Sequence, residues 1–210
     1  MDSLPHNFHK AHFPIDIQNY CLGDEKLTFI LNEMKSNGDL KKDSILLLPF
    51  GGPGSAANFF DYNNVKTVSG DIEYGKKYNF PEKQLSDFRK KYNYVGVEQK
   101  FIIWDVMNLP VIEDKFQLAL VNPPYGIRCK IEKDALKLAI ESFFKIVPIM
   151  DRKSIIYYTI PEYWVDEFLL QTKIEPKYIY TKKRLSSDPN SCLPLSLLRI
   201  EIEQKLFKGF

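Results

Sequence analysis

The sequence predicts an α/β chain built on a largely parallel sheet. Three observations carry that reading. Short apolar runs rich in Leu, Ile and Val alternate with amphipathic segments of helical period along 210 residues, the pattern of strands separated by helical crossovers. Three successive runs end in turn-forming or acidic residues: Pro49-Phe50-Gly51-Gly52, Gly70-Asp71 and Trp104-Asp105. A fourth run, 116–121, stops at Asn122-Pro123-Pro124-Tyr125-Gly126. Two prolines cannot donate to a sheet ladder, so the chain must leave the sheet at Asn122. The prolines also restrict each other, so this turn is rigid and presents one amide and one aromatic ring in a fixed relation.

The elements follow in order. A helix is expected over 25–35, with Leu27, Ile30, Leu31 and Met34 on one face. Strands are expected over 44–50 and 65–71, then a charged amphipathic helix over 83–92 and a strand over 101–105. After the strand 116–121, a long helix is expected over 132–147, closed by Pro148. A fifth strand over 153–160 leads to a helix over 161–172 with Pro161 at its start, and strands over 178–181 and 196–203 complete the set. The organisation read from this is an N-terminal helical extension, 1–40, followed by one domain, 41–210.

Composition excludes several classes. The 15 Phe and 12 Tyr argue against a disordered chain. The net charge of +2 carries no polycationic signature, so any contact with nucleic acid must come from a local patch. No run of about 18 apolar residues occurs, so no membrane span is expected, and no apolar leader opens the chain, which fits a cytoplasmic protein. Cys21, Cys129 and Cys192 are too few and too scattered for a disulfide framework or a thiolate zinc site. His6, His9 and His12 recur at a spacing poor for one helical face and lack accompanying acids, so no metal is expected.

Asn122-Pro123-Pro124-Tyr125 resembles motif IV of the S-adenosylmethionine-dependent amino-methyltransferases, and the resemblance covers about residues 40–205. It implies a Rossmann-like class I methyltransferase fold: a seven-stranded sheet with strand seven antiparallel and helices on both faces. It implies S-adenosylmethionine as cofactor. It gives Asn122 Oδ1 and the Pro123 carbonyl the task of accepting the hydrogens of an sp2 amine, with Pro124 holding the turn and Tyr125 stacking on the substrate. Pro49, Phe50, Gly51, Gly52 and Gly54 resemble the glycine-rich motif I turn, which passes beneath the cofactor. Asp71, with Glu73 in reserve, stands where the family's ribose acid stands. Asp105 and Val106 stand where the adenine ring is bound. Phe13, followed by Pro14, resembles the aromatic element that packs on the methionine end; a core Phe is the plainer alternative. One departure is clear: the family's motif I acid is replaced by Leu48, and an acid such as Asp16 is a candidate substitute.

The substrate implied is nucleic acid, DNA or structured RNA. Gly126 after the Tyr is more usual in nucleic-acid enzymes of the family, and Arg128, Lys182, Lys183 and Arg184 are candidate backbone contacts. A second basic-aromatic group comprises Lys76, Lys77, Tyr78, Arg89, Lys90, Lys91 and Tyr92. Adenine-N6 is the first target. Guanine-N2 of rRNA or tRNA, glutamine-N5 of a protein, and a degenerate fold acting as a non-catalytic subunit remain open. The chain has little room for a target-recognition domain, so recognition by RNA shape or through a protein partner is expected.

Overall fold

The computed structural model describes residues 22–78, 81–109, 115–125, 134–174, 179–184 and 194–203; for 179–184 and 203 the description is of backbone alone. Helix α1 (Asp24–Ser36) comes first, and its apolar face of Leu27, Ile30, Leu31 and Met34 is buried. Then come β1 (Ile45–Leu48), α2 (Ser55–Tyr62), β2 (Lys66–Asp71), α3 (Pro81–Tyr92) and β3 (Gln99–Ile103). The second half runs β4 (Phe116–Val121), α4 (Ala135–Ile146), β5 (Met150–Pro161), α5 (Val165–Thr172), β6 (Ile179–Arg184) and β7 (Leu195–Glu203).

The strands form one sheet in the order β3-β2-β1-β4-β5-β7-β6. Strands β1 to β5 pair in parallel, and β7 is antiparallel to both β5 and β6. Side chains alternate across the sheet, as the two-residue strand period requires. Leu47, Ala119, Val121, Ile156 and Tyr158 pack on one face against Phe143 of α4 and Phe168 of α5. Leu46, Leu48, Leu118, Leu120 and Tyr157 pack on the other against α1, α2 and Phe88 of α3. Each fully buried large apolar side chain contributes about 1.5–3 kcal/mol, and both faces of the central strands are covered. That is why β1 and β4 read as continuous apolar runs rather than alternating ones.

Several expected boundaries move, each for a local reason. Strand β3 starts and ends two residues earlier than expected, because Asp105 caps a 3-10 turn over Val106–Asn108 and takes the chain out of the sheet. Helix α4 begins at Ala135, capped by Asp134, whose Oδ1 accepts from the amides of Leu136 (2.8 Å) and Lys137 (3.3 Å). Pro161 is the last residue of β5 rather than the start of a helix; a 3-10 turn over Glu162–Trp164 intervenes before α5. No helix among the described residues is long and apolar enough to cross a membrane.

The strand order fixes where a ligand can enter. From β1 the chain winds outward to β2 and β3; it then returns to β4, beside β1, and winds the other way. The crossovers on either side of the β1–β4 junction therefore diverge, leaving a crevice at the carboxyl ends of these two strands. The glycine turn after β1 and the Asn-Pro-Pro-Tyr turn after β4 both open into it.

Candidate active site

Three strand ends are tied together on one side of the crevice. Gly51 N donates to the Gly70 carbonyl at 2.8 Å, linking the β1 turn to β2. Gly52 N donates to Asp71 Oδ2, also at 2.8 Å. Trp104, just past β3, donates from Nε1 to the Pro49 carbonyl at 3.2 Å. Two glycines are dictated by this packing. A Cβ on Gly70 would lie 1.7 Å from Trp104 Nε1, and one on Gly51 would lie 2.1 Å from the Tyr74 hydroxyl. That hydroxyl is buried and bonded to Ser69 Oγ at 2.8 Å, forming a floor under the turn. Gly54 has φ 92° and precedes the first residue of α2, a conformation that favours glycine. Gly52 has φ 56°, and a Cβ there would meet nothing within 4 Å, so the turn has open space above it.

Asp71 carries two backbone bonds, from Gly52 N and from Glu73 N at 2.9 Å. Burial pushes its carboxyl above the ordinary value of 3.8, with the two amides opposing. It therefore holds the glycine turn in place and still has lone pairs for a ligand. Glu73 is half-buried beside it. Asp105 accepts from Met107 N at 2.9 Å and from Asn108 Nδ2 at 2.8 Å, so it serves as a cap as well as a candidate ligand. Val106 is buried in the core with Trp104. Leu48 is 2% exposed and packs in the second core cluster, so no acid projects from that strand end.

On the β4 side, Pro123 is buried, while Asn122, Pro124 and Tyr125 are half-buried. Thr159 of β5, fully buried, ties the turn down: its Oγ1 lies 2.7 Å from Asn122 Oδ1 and 3.3 Å from the Val121 carbonyl. The Tyr125 hydroxyl donates to the Thr159 carbonyl, approaches Thr159 Oγ1, and stands 3.3 Å from Asn122 Oδ1. Burial holds this phenol well above its ordinary value of 10.0, against the bond from Thr159, so it remains a donor. The Tyr125 ring meets Trp164 edge to face, with centroids 6.3 Å apart. Thr159 was not legible as a site residue: a Thr inside an apolar strand is ordinary β-former chemistry.

The remaining expectations divide. Phe13, Asp16 and Arg128, with Gly126 and the three His, lie outside the described residues. The backbone of Lys182, Lys183 and Arg184 is placed: β6 runs parallel to β5 through their shared neighbour β7, and Lys183 and Thr159 both stand opposite Leu197. The basic triplet thus sits at the carboxyl end of the sheet, level with Asn122 and roughly 14 Å away at about 4.8 Å per strand spacing. In the second basic group Lys76, Lys77, Lys90 and Lys91 are exposed, and the other three members are engaged. Arg89 is committed internally to Asp61, Tyr78 is 5% exposed, and Tyr92 packs on Phe88. Among the described residues no cluster of His, Cys, Asp or Glu could hold a metal ion.

The residues present fit a nucleoside cofactor with a methionine tail on one side of the crevice. The turn is open above Gly52, and a carboxylate with lone pairs to spare ends β2.

No protein-family model matches the chain, and no curated protein matches it in sequence. Solved structures match in fold. A Listeria monocytogenes protein assigned as a class I S-adenosylmethionine-dependent methyltransferase superposes with a TM-score of 0.62 at 11% identity, over 91% of this chain and 62% of its own. This chain thus spans under two thirds of that protein's length. The magnesium protoporphyrin IX methyltransferase of Synechocystis PCC 6803, solved with S-adenosylmethionine bound, gives 0.59 at 12% identity, covering 96% of this chain and 86% of its own. An rRNA methylase of Streptococcus thermophilus gives 0.52 at 14% identity, covering 96% and 99%. At these identities the likeness is one of fold, and the fold of this chain is that of the class I S-adenosylmethionine-dependent methyltransferases.

Proposed function

We propose that this protein is an S-adenosylmethionine-dependent methyltransferase acting on an exocyclic amine of a nucleic-acid base, with adenine-N6 the first target. The observation that carries the reading is the Asn122–Tyr125 turn at the carboxyl end of β4, one strand spacing from the glycine turn of β1. A cofactor held over the glycine turn and an amine held at Asn122 would meet in the same crevice.

The cofactor supplies a methyl group on a sulfonium, already activated for displacement. The chain's own residues then have a positioning task, and alignment of this kind can supply several kcal/mol of the barrier. The turn of Gly51 to Gly54 and the carboxylate of Asp71 hold the nucleoside. Asn122 Oδ1 and the Pro123 carbonyl accept the two amine hydrogens, which frees the nitrogen lone pair from conjugation with the ring. The half-buried Tyr125 ring offers a stacking surface and keeps water from the amine. With the cofactor bound, the amine nitrogen held by Asn122 and Pro123 would be the atom that takes the methyl group as the carbon–sulfur bond breaks, and it would then give up one proton.

A nucleic-acid substrate is supported by the basic triplet Lys182 to Arg184 at the same end of the sheet. RNA is the first polymer to test, since solved structures sharing the fold include an rRNA methylase of Streptococcus thermophilus and a Clostridium thermocellum protein assigned as one. The test is calorimetric titration with S-adenosylmethionine, followed by transfer of tritiated methyl onto rRNA, tRNA, DNA and a glutamine-bearing release factor. Micromolar binding and label in RNA or DNA adenine support the reading. Label in guanine or in protein replaces the target, and no binding at millimolar cofactor removes the enzyme.

A further inference from the structure

Five oxygen–oxygen contacts, four of them made by Thr159, join the end of β4 to β5: Tyr125 hydroxyl to Asn122 Oδ1, to the Thr159 carbonyl and to Thr159 Oγ1, and Thr159 Oγ1 to the Val121 carbonyl and to Asn122 Oδ1. The two hydroxyls own one hydrogen each, so these contacts share two hydrogens. The rest are lone pair against lone pair inside a protein, where an unsupported contact between acceptors is unfavourable. Meanwhile Asn122 Nδ2, with two hydrogens, pairs with nothing among the described residues.

Turning the Asn122 amide by half a revolution resolves this. Oxygen and nitrogen of a side-chain amide are distinguished by their hydrogen-bond network. With Nδ2 facing β5, it donates to Thr159 Oγ1 and to the Tyr125 hydroxyl. Thr159 Oγ1 is then released to donate to the Val121 carbonyl, and Tyr125 donates to the Thr159 carbonyl. Four of the five contacts then carry a hydrogen. The amide oxygen faces away from β5, with its lone pairs uncommitted.

We propose that Thr159 is a positioning residue that sets the Asn122 amide with its nitrogen inward on β5 and its oxygen outward, as the acceptor for the substrate amine. Thr159 serves this because its hydroxyl is both donor and acceptor: it takes the Asn122 hydrogen and passes its own to the Val121 carbonyl, at the strand end from which Asn122 projects. A Val side chain has the same shape and no such relay. What the outward oxygen accepts rests on the methyltransferase reading; its orientation does not.

The test is an NMR comparison of the wild-type protein, Thr159→Val and Thr159→Ser, reading the Asn122 side-chain amide pair, assigned by its loss in Asn122→Asp. The expected result is a slowly exchanging pair in the wild type and in Thr159→Ser, and a pair with fast solvent exchange in Thr159→Val while the backbone amide spectrum stays folded. A pair that exchanges fast in the wild type, or that Thr159→Val leaves unmoved, overturns the proposal. On the methyl acceptor identified for the wild type, Thr159→Val should lower kcat about ten- to a hundredfold with cofactor affinity unchanged, and Thr159→Ser should restore most of it. Absence of methyl transfer by the wild type on every acceptor defeats the functional reading alone, because the amide pair still reports which way Asn122 is turned. Should Thr159→Val fail to fold, wild-type exchange of that pair and the Thr159→Ser spectrum decide.

Discussion

The indole of Trp104 crosses the face of Gly70 to reach the Pro49 carbonyl at 3.2 Å. One side chain from the end of β3 thereby passes over β2 and fastens the turn that follows β1. The glycine-rich turn is consequently held from outside itself, by a residue remote in sequence and by the carboxylate of Asp71.

Gly70→Ala tests this fastening. The added carbon would lie 1.7 Å from Trp104 Nε1, and an indole packed in the core cannot step aside as a flexible chain could. We expect a loss of about 1–3 kcal/mol of stability, read as a lowered Tm, with weakened binding of S-adenosylmethionine as the Pro49 turn loosens. An unchanged Tm would mean that Trp104 has room the packing does not show.

Asp61 anchors the amino end of the same β3 edge of the sheet. Its side chain is fully buried and accepts from Arg89 Nε at 2.9 Å and Nη2 at 2.7 Å, from the Tyr94 hydroxyl at 2.8 Å and from Val97 N at 2.9 Å. The bond to Asp61 raises Arg89 above its already high ordinary value, and burial together with Asp61 raises the Tyr94 phenol, so both groups stay donors. Removing one partner of such a buried pair strands the other. Asp61→Ala, which leaves the Val97 amide and the Tyr94 hydroxyl without their acceptor, should cost about 1–3 kcal/mol by chemical denaturation. Arg89→Met, which leaves the carboxylate without its charge partner, should also be destabilising; a neutral result would show that the amide and phenol donors suffice.

The pH dependence of cofactor binding should report Asp71. Burial disfavours its ionised form, so its folded-state pKa lies above 3.8. By linkage the native state takes up this proton more readily than the unfolded chain, so the group's contribution favours folding at low pH and is lost as pH rises through the folded value. Its bonds to Gly52 N and Glu73 N run the other way, since they need the carboxylate. Affinity for S-adenosylmethionine should therefore rise with pH through a window lying above 3.8, and calorimetry across that window should find the step gone in Asp71→Asn. A step that persists in the variant would assign it to another group.

How much of this was written in the sequence differs from element to element. Strand β4 runs over the expected residues because both its ends are unambiguous: an apolar run begins at Phe116 and Asn122-Pro123 stops it. Strand β3 was displaced because Gln99 and Lys100 look polar, yet an edge strand keeps one side of its ladder free and tolerates such residues. The glycine turn and the acids after β2 and β3 were visible as residue types at strand ends. Their fastening was not, since Trp104–Pro49 and Thr159–Asn122 are contacts between strands remote in sequence. An isolated Gly70 inside a strand was the one available hint of a close approach.

Asn122→Ala separates binding from chemistry. The side chain lies at the end of β4, held by Thr159 at 2.7 Å, and makes no bond to the glycine turn or to Asp71. Its removal should leave S-adenosylmethionine affinity within about a factor of two, a difference of about 0.4 kcal/mol. It takes away the acceptor that draws the amine out of conjugation, and the loss of one such preorganised group should lower transfer by about a hundred- to a thousandfold. Losing the amide also frees Tyr125 and Thr159 to bond to each other, so the turn itself should stay folded and Tm should fall little. Parallel measurement of affinity, Tm and label transfer distinguishes the cases: loss of all three would make Asn122 a structural residue, whereas loss of transfer alone places it against the reacting amine.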